Sequence, residues 1–420
     1  MTQEISLAVH LNRAEYPVLD TPQLAYLLLE IEPAPANGTP AAAPLPLTTP
    51  AGNLNLALVL DRSGSMAGEK IARLREATLL AIEQLSAGDL VSLVLFDDTV
   101  DLLVPATPAG DKTTLRRQIA TIWERGGTHL SLGLAEGLAQ LAQGQTPGRI
   151  NHLLLLTDGE TWEDEDRCRE LAAAAGQQGI SITALGLGDE WNQTLLADIA
   201  SLSGGDWDYI DTPNRILTAF QQVVNNMQQA VVTNAHLVLR LVAGVQPRQV
   251  WRVAPLIGLL GQQALGAQDV QVNLGDLQQA GQTLLVELEL PPRPAGSYRL
   301  AQAEISYELP GPPPAGQRIP HDILVHFTAN PSSTALDGRV MNLVEKVSAY
   351  KLMTRALAEQ AAEDTATRTR RLRAAATRLL DLGEETLAEQ ASAAADQMEA
   401  GVAIPAGETK RLVAQTRRLG

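Results

Sequence analysis

Five oxygen-bearing side chains, drawn from three distant parts of the sequence, stand where they could share one cation. Asp61, Ser63 and Ser65 occupy alternate positions in Asp61-Arg62-Ser63-Gly64-Ser65-Met66. Thr128 follows Gly126-Gly127, and Asp158 lies in Thr157-Asp158-Gly159. Hydroxyls and carboxylates without histidine or thiolate suit a hard cation such as Mg²⁺, Mn²⁺ or Ca²⁺ rather than zinc. Two aspartates bring only two charges, so an ion held by this set stays electrophilic and would accept a further carboxylate from outside. The Asp61-Ser63-Ser65 trio alone is equally explained by helix capping, with Ser65 at the start of the following helix. Its combination with Thr128 and Asp158 is what points to a metal.

The elements that must position these residues are legible around them. Apolar runs at 54–60 (LNLALVL), 90–96 (LVSLVLF), 152–157 (HLLLLT) and 180–188 (ISITALGLG) alternate with helical stretches near 69–85, 112–123, 130–142, 165–175, 193–202 and 213–228. A weaker extended stretch falls near 99–104 and a short strand near 207–210. In the first helix Ile71, Leu74, Thr78, Ile82 and Leu85 share one face. Continuous apolar strands alternating with helices predict a doubly wound, mainly parallel sheet covered on both faces. Asp61, Thr128 and Asp158 then fall at or beside the carboxyl ends of strands, the edge at which open parallel sheets bind ligands.

Asp61-Arg62-Ser63-Gly64-Ser65, with Thr128 and Asp158, resembles the metal-ion-dependent adhesion site of von Willebrand factor A (VWA) and integrin-type I domains, and the order of elements over about 52–228 agrees. The resemblance implies a Rossmann-like α/β fold. It implies that Ser63, Ser65 and Thr128 coordinate the metal directly or through water, that Asp61 and Asp158 anchor it mainly through water, and that a partner's Asp or Glu completes the shell. It also implies that the last helix, near 213–228, shifts when the site is filled. His129 departs from the family, where Asn or Pro is more usual in bacterial relatives, and bears on partner choice. Arg62, His129, Glu160 and Trp162 are expected at the partner-binding rim. The chain as a whole looks similar to bacterial intracellular members of the family.

The flanks change period. Ile5, Leu7, Val9 and Leu11 alternate, as do Leu24, Tyr26 and Leu28 with Leu27, Leu29 and Ile31 opposite. Beyond 229, alternation returns at Leu237–Leu241, Val270–Leu274, Leu284–Leu290, Ala303–Leu309 and Ile323–Phe327, divided by Pro and Gly. These predict an antiparallel β-sandwich built from 1–50 (its end a Pro/Ala-rich linker) and 229–330, with the VWA domain of 51–228 inserted between its strands. Residues 331–420 read as a helical tail, with Val340, Leu343, Val344, Val347 and Tyr350 in one stripe and an arginine run (Arg368, Arg370, Arg371, Arg373, Arg378) that reads as a solvated helix face.

The formal net charge of −16 argues against nucleic acid or an anionic membrane as partner. One cysteine, Cys168, excludes an internal disulfide. The opening MTQEISLAVHLNRAEY lacks the pattern of a signal peptide, and no apolar run reaches the ~20 residues of a membrane span. A cytoplasmic location is expected. No GxxxxGK[ST], HExxH or GxSxG occurs, so no catalytic role is expected. The expectation is a divalent-cation-dependent protein–protein interaction module, a scaffold or adaptor. Two alternatives stay open: the substrate-gripping subunit of an ATP-driven or metal-inserting enzyme complex, and a surface adhesin.

Overall fold

The computed structural model describes residues 4–34, 53–161, 163–265, 268–310, 316–330, 336–358 and 364–420. The Pro/Ala-rich linker and Trp162 lie outside the described residues.

The chain opens with β1 (Glu4–Leu11), β2 (Glu15–Pro17) and β3 (Gln23–Ala34), then enters the α/β part. That part runs β4 (Leu54–Asp61), α1 (Glu69–Gln84), β5 (Leu90–Phe96), β6 (Val100–Pro108), α2 (Lys112–Ile119), α3 (Leu130–Gly144), β7 (Ile150–Thr157), α4 (Glu165–Gln177), β8 (Ile180–Leu187), α5 (Gln193–Ser203), β9 (Asp206–Ile210) and α6 (Arg215–Gln228). Its sheet has the order β6-β5-β4-β7-β8-β9, parallel except for the edge strand β6. All eight residues of β4 are buried. Leu54, Leu56, Leu58 and Leu60 face the layer of α1 and α6, while Ala57 and Val59 face α3. Burial on both faces is why these strands read as unbroken apolar runs.

The eight further strands are β10 (Ala230–Leu241), β11 (Gln246–Ala254), β12 (Gly258–Leu259), β13 (Gln262–Ala264), β14 (Asp269–Gln278), β15 (Gln282–Leu290), β16 (Gly296–Glu308) and β17 (Gly316–Thr328). They join the N-terminal strands in two facing sheets, β1-β3-β15-β11-β12 and β13-β14-β10-β16-β17-β2. Leu27, Leu29 and Ile31 of β3 share one core with Leu237, Leu239, Ile305 and Val325. The α/β part is therefore an insertion in a β-sandwich. The sequence reading missed β11, and the reason is physical. Val250, Trp251, Arg252 and Val253 are all buried, because this strand meets the sandwich core on one side and other parts of the chain on the other. Without a solvent face it shows no alternation.

The tail forms α7 (Gly338–Leu357), α8 (Thr365–Asp381), α9 (Glu385–Glu399) and α10 (Ala406–Arg417). Helix α7 covers the outer face of the first sandwich sheet, where Tyr350 meets Trp251 edge-on at 6.1 Å. Several of the arginines in the run of α8 turn to the tail itself: Arg368 donates to Ala356 O, Arg373 pairs with Asp396, and Arg378 pairs with Glu345. No helix among the described residues is long and apolar enough to cross a membrane.

Three side chains tie the parts together. Asn273 of β14 donates to Gly176 O and Ser203 O, 3.0 Å each, satisfying carbonyls at the ends of α4 and α5. Lys410 of α10 is 1% exposed and donates to Trp191 O at 2.6 Å while lying over the Trp191 ring. Arg417, 3% exposed, donates to Ile257 O at 3.0 Å and to Trp207 O, and pairs with Asp206, which also takes Arg252 at 3.0 Å. Burial alone would raise the Asp206 pKa, but Arg417 and Arg252 outweigh it and hold the carboxyl below its ordinary value.

Two outcomes follow from this packing. Replacing Arg417 with Met leaves the Trp207 and Ile257 carbonyls without their donor. It should cost about 2 kcal/mol or more in urea unfolding followed by tryptophan fluorescence; a loss below about 0.5 kcal/mol would contradict the assignment. Asp276 of β14 accepts from Asn234 N at 3.3 Å, and burial pushes its carboxyl up to about 7. The folded state therefore binds this proton more tightly than the unfolded chain. The group's stabilising contribution is full near pH 4 and drains away as pH rises through 7. Asp276→Asn should flatten the fall in melting temperature between pH 5 and 8 relative to the unmodified protein.

Candidate metal centre

The structure brings the five residues singled out in the sequence to one cleft. Strand β4 lies between β5 and β7, so its last residue, Asp61, sits beside Thr157. Asp61 is fully buried. Its Oδ1 accepts from Ser63 N at 2.7 Å, and its Oδ2 accepts from Thr157 Oγ1 at 2.6 Å and Asp158 N at 3.4 Å. One carboxylate thus fixes both loops. Burial, against the pull of the Thr157 and Ser63 hydrogen bonds and with a smaller push from Asp158, raises its pKa to about 6.

The hydroxyls of Ser63 and Ser65 are 3.0 Å apart, and Asp158 Oδ1 lies 2.6 Å from Ser65 Oγ and 3.4 Å from Ser63 Oγ. A methyl added at Gly159 would stand 3.2 Å from Thr128 Oγ1 and 3.9 Å from Ser65 Oγ, so the third hydroxyl borders the same space and glycine keeps it open. Neighbouring ligands on an octahedral ion with bonds of 2.0–2.1 Å are about 2.9 Å apart, close to the serine–serine spacing. The donor set fits a small oxygen-seeking cation held by Ser63, Ser65, Thr128, Asp61 and Asp158. Among the described residues no cluster of three or more His, Cys, Asp or Glu is placed to hold a metal; this cleft has two carboxylates, and its other donors are alcohols.

The Thr128 loop is held by two acids that follow β5, Asp97 and Asp98. Asp97 Oδ2 accepts from Arg62 Nε at 2.7 Å and Arg125 Nε at 2.9 Å, and its Oδ1 accepts from Thr99 N and Oγ1. Burial works against the Asp97 charge, yet the bonds from Arg125, Thr99 and Arg62 win and hold its pKa at about 2. Asp98 Oδ2 accepts from Gly127 N at 2.9 Å, and Gly126, at φ +71°, could not carry a side chain there. Arg125 N donates to Arg62 O and Gly64 N to Gly126 O, joining the two loops backbone to backbone.

Arg62 corrects an expectation. It is 4% exposed and turned inward to Asp97 and Asp101, so it braces the site and is not part of the rim. His129, expected at the rim, is half-exposed and 3.6 Å from Asp164, and Glu160 is exposed. Asp164 accepts from Ser131 N at 2.7 Å, serving the first turn of α3. Cys168 is fully buried and burial pushes its thiol pKa up, as expected of a packing residue.

Sequence reasoning missed Lys70. Its ammonium pairs with Asp158 Oδ2. Lys70 stands in the first turn of α1, and its partner lies 88 residues further along the chain, so no local pattern marks the pair.

Residues 55–229 match the model of the von Willebrand factor type A domain, and residues 338–420 that of the Sll0103-like, C-terminal alpha-helical domain. The inserted α/β unit is therefore a von Willebrand factor type A domain. Over 264 residues the chain is 35% identical to the uncharacterized protein sll0103 of Synechocystis sp., covering 61% of this chain and 62% of that protein. Over 187 residues it is 26% identical to the uncharacterized protein YfbK of Escherichia coli, covering 43% and 32%. The chain thus spans less than two thirds of either relative. Its fold is similar to that of a von Willebrand factor type A protein from Catenulispora acidiphila (TM-score 0.77, 19% identity, 93% of this chain and 89% of that one). It is also similar in fold to the ArnB paralog VWA2 from Sulfolobus acidocaldarius (0.60, 13%, 99% and 98%).

The Lys70 ammonium already answers one charge of Asp158, and a cation entering the cleft must share that carboxylate with it. Lys70→Gln should raise Mg²⁺ affinity about threefold in calorimetric titration of chelator-stripped protein. A weaker affinity would show instead that Lys70 is needed to orient Asp158.

Proposed function

We propose that this chain is a divalent-cation-dependent protein–protein interaction module, a cytoplasmic adaptor that grips a carboxylate of its partner through the metal centre. The observation that supports this reading is the convergence of three alcohols and two carboxylates on one open cleft at the carboxyl edge of the sheet. Mg²⁺ or Mn²⁺ suits the 3.0 Å serine spacing better than Ca²⁺, whose longer bonds spread its ligands further. Ser63, Ser65 and Thr128 would hold the ion, with Asp61 and Asp158 fixing the loops and balancing charge. The bound ion supplies an electrophile. The protein's own part is to keep it short of negative charge: the ligand set brings two carboxylates and Lys70 returns one positive charge. An Asp or Glu of a partner then gains more at this cation than a neutral side chain would.

The chain's residues also decide how a partner approaches. His129 and Glu160, both solvent-accessible and next in sequence to the Thr128 and Asp158–Gly159 turns, would meet it first. Arg62, Arg125 and Asp97 keep the Thr128 loop from collapsing into it.

Mg²⁺ and Mn²⁺ titrated into chelator-stripped protein should bind one to one, and Asp61→Ala should abolish the binding while the fold, checked by circular dichroism, persists. Partner proteins retained by immobilised chain in Mg²⁺ should be released by chelator and should not bind the Asp61→Ala variant. Capture undiminished in chelator would overturn the proposal.

A further inference from the structure

Away from the metal centre, the VWA domain, the sandwich and the tail enclose a cavity of about 230 Å³. Its walls come from α5 and β9, from β11 and β12, and from α7 and α10. A cavity of about 150 Å³ already accommodates benzene, so this one has room for a ring and a polar substituent. Trp207, Trp251, Tyr350 and Leu260 supply apolar wall. Trp251 also keeps its indole N–H without a hydrogen-bond acceptor.

The charge of the lining does not match that of the chain. Lys351, Arg252, Arg355 and Arg417 line the cavity against Asp198 and Asp206. Lys351 is answered by Glu287, and Asp198 by Arg169. Arg252 and Arg417 share the carboxylate of Asp206 and give their remaining donors to the carbonyls of Gly205, Leu256, Trp207 and Ile257. Arg355, exposed at the cavity, has no ion-pair or hydrogen-bond partner among the described residues. A guanidinium without a counter-charge and an indole N–H without an acceptor border this aromatic-walled hollow, in a chain of net charge −16. They have the composition of a ligand site at a domain junction, mostly apolar with a few fixed polar groups.

We propose that this cavity binds a small organic anion, a ring-sized apolar body bearing one carboxylate. The ring lies among Trp207, Trp251 and Tyr350. The carboxylate is taken by Arg355. Such a ligand touches all three parts of the chain at once and braces their junction, whatever the metal centre holds.

The test uses the full chain and 4-nitrobenzoate, a carboxylate whose nitro group quenches indole fluorescence. Titration should give saturable quenching and a rise in melting temperature. The neutral 4-nitrobenzamide should bind about tenfold more weakly or worse. Arg355→Glu, at an exposed position, should weaken 4-nitrobenzoate by about tenfold with an unchanged circular dichroism spectrum, and Arg355→Lys should restore most of the affinity. Quenching that is linear in concentration, equal for acid and amide, or unaffected by Arg355→Glu would overturn the proposal. Each readout is taken in chelator, so failure here and failure of the metal reading are separable.

Discussion

The carboxylate of Asp206, at the start of β9, receives Arg252 from the sandwich and Arg417 from the last helix of the tail. Both guanidinium groups are nearly buried, and a buried arginine is tolerable only when its charge and its donors are all answered. Arg417 meets that condition with one carboxylate and two backbone carbonyls, Trp207 O and Ile257 O, contributed by two different parts of the chain. The three parts therefore cannot separate without stranding charge in an apolar setting. Lys410 repeats the device one edge further along, capping the carbonyls of the loop after β8. Together they turn three modules into one frame, with the metal cleft at its centre between β4 and β7.

Within that frame two neighbouring aspartates are tuned in opposite directions by their surroundings. Asp97 is surrounded by donors and stays charged under acid conditions, as suits a brace. Asp61 sits at the end of a fully buried strand, its three donors are uncharged, and burial prevails over them. The difference lies in the two guanidinium groups that face Asp97 and have no counterpart at Asp61.

How much of this was legible in the sequence depends on where each residue finds its partners. Asp61, Ser63, Ser65, Thr128 and Asp158 could be read because strand ends in a parallel sheet must converge, and the strands announced themselves as apolar runs. The insertion could be read because β1 and β3 alternate at period two and cannot stand alone. Arg62 was misplaced since its partners, Asp97 and Asp101, are set by the β5–β6 hairpin, whose register no local pattern reveals. Lys70 and the Arg417–Asp206–Arg252 cluster were missed for the same reason. Each depends on a contact across more than forty residues of chain, and a lone Lys or Arg reads the same whether it points to water or to a buried carboxylate.

The insertion has a mechanical consequence. Both ends of the VWA domain lead into the same sandwich, through the linker after β3 and through α6 into β10, and β3 and β10 lie in different sheets of it. A pull on this domain therefore enters the sandwich directly where α6 runs into β10, in the sheet that does not contain β3. Helix α10 adds a non-covalent stay at the β8–β9 edge. The force then arrives at the sandwich on one sheet and at the tail on the other side, as strain across the junction of all three parts.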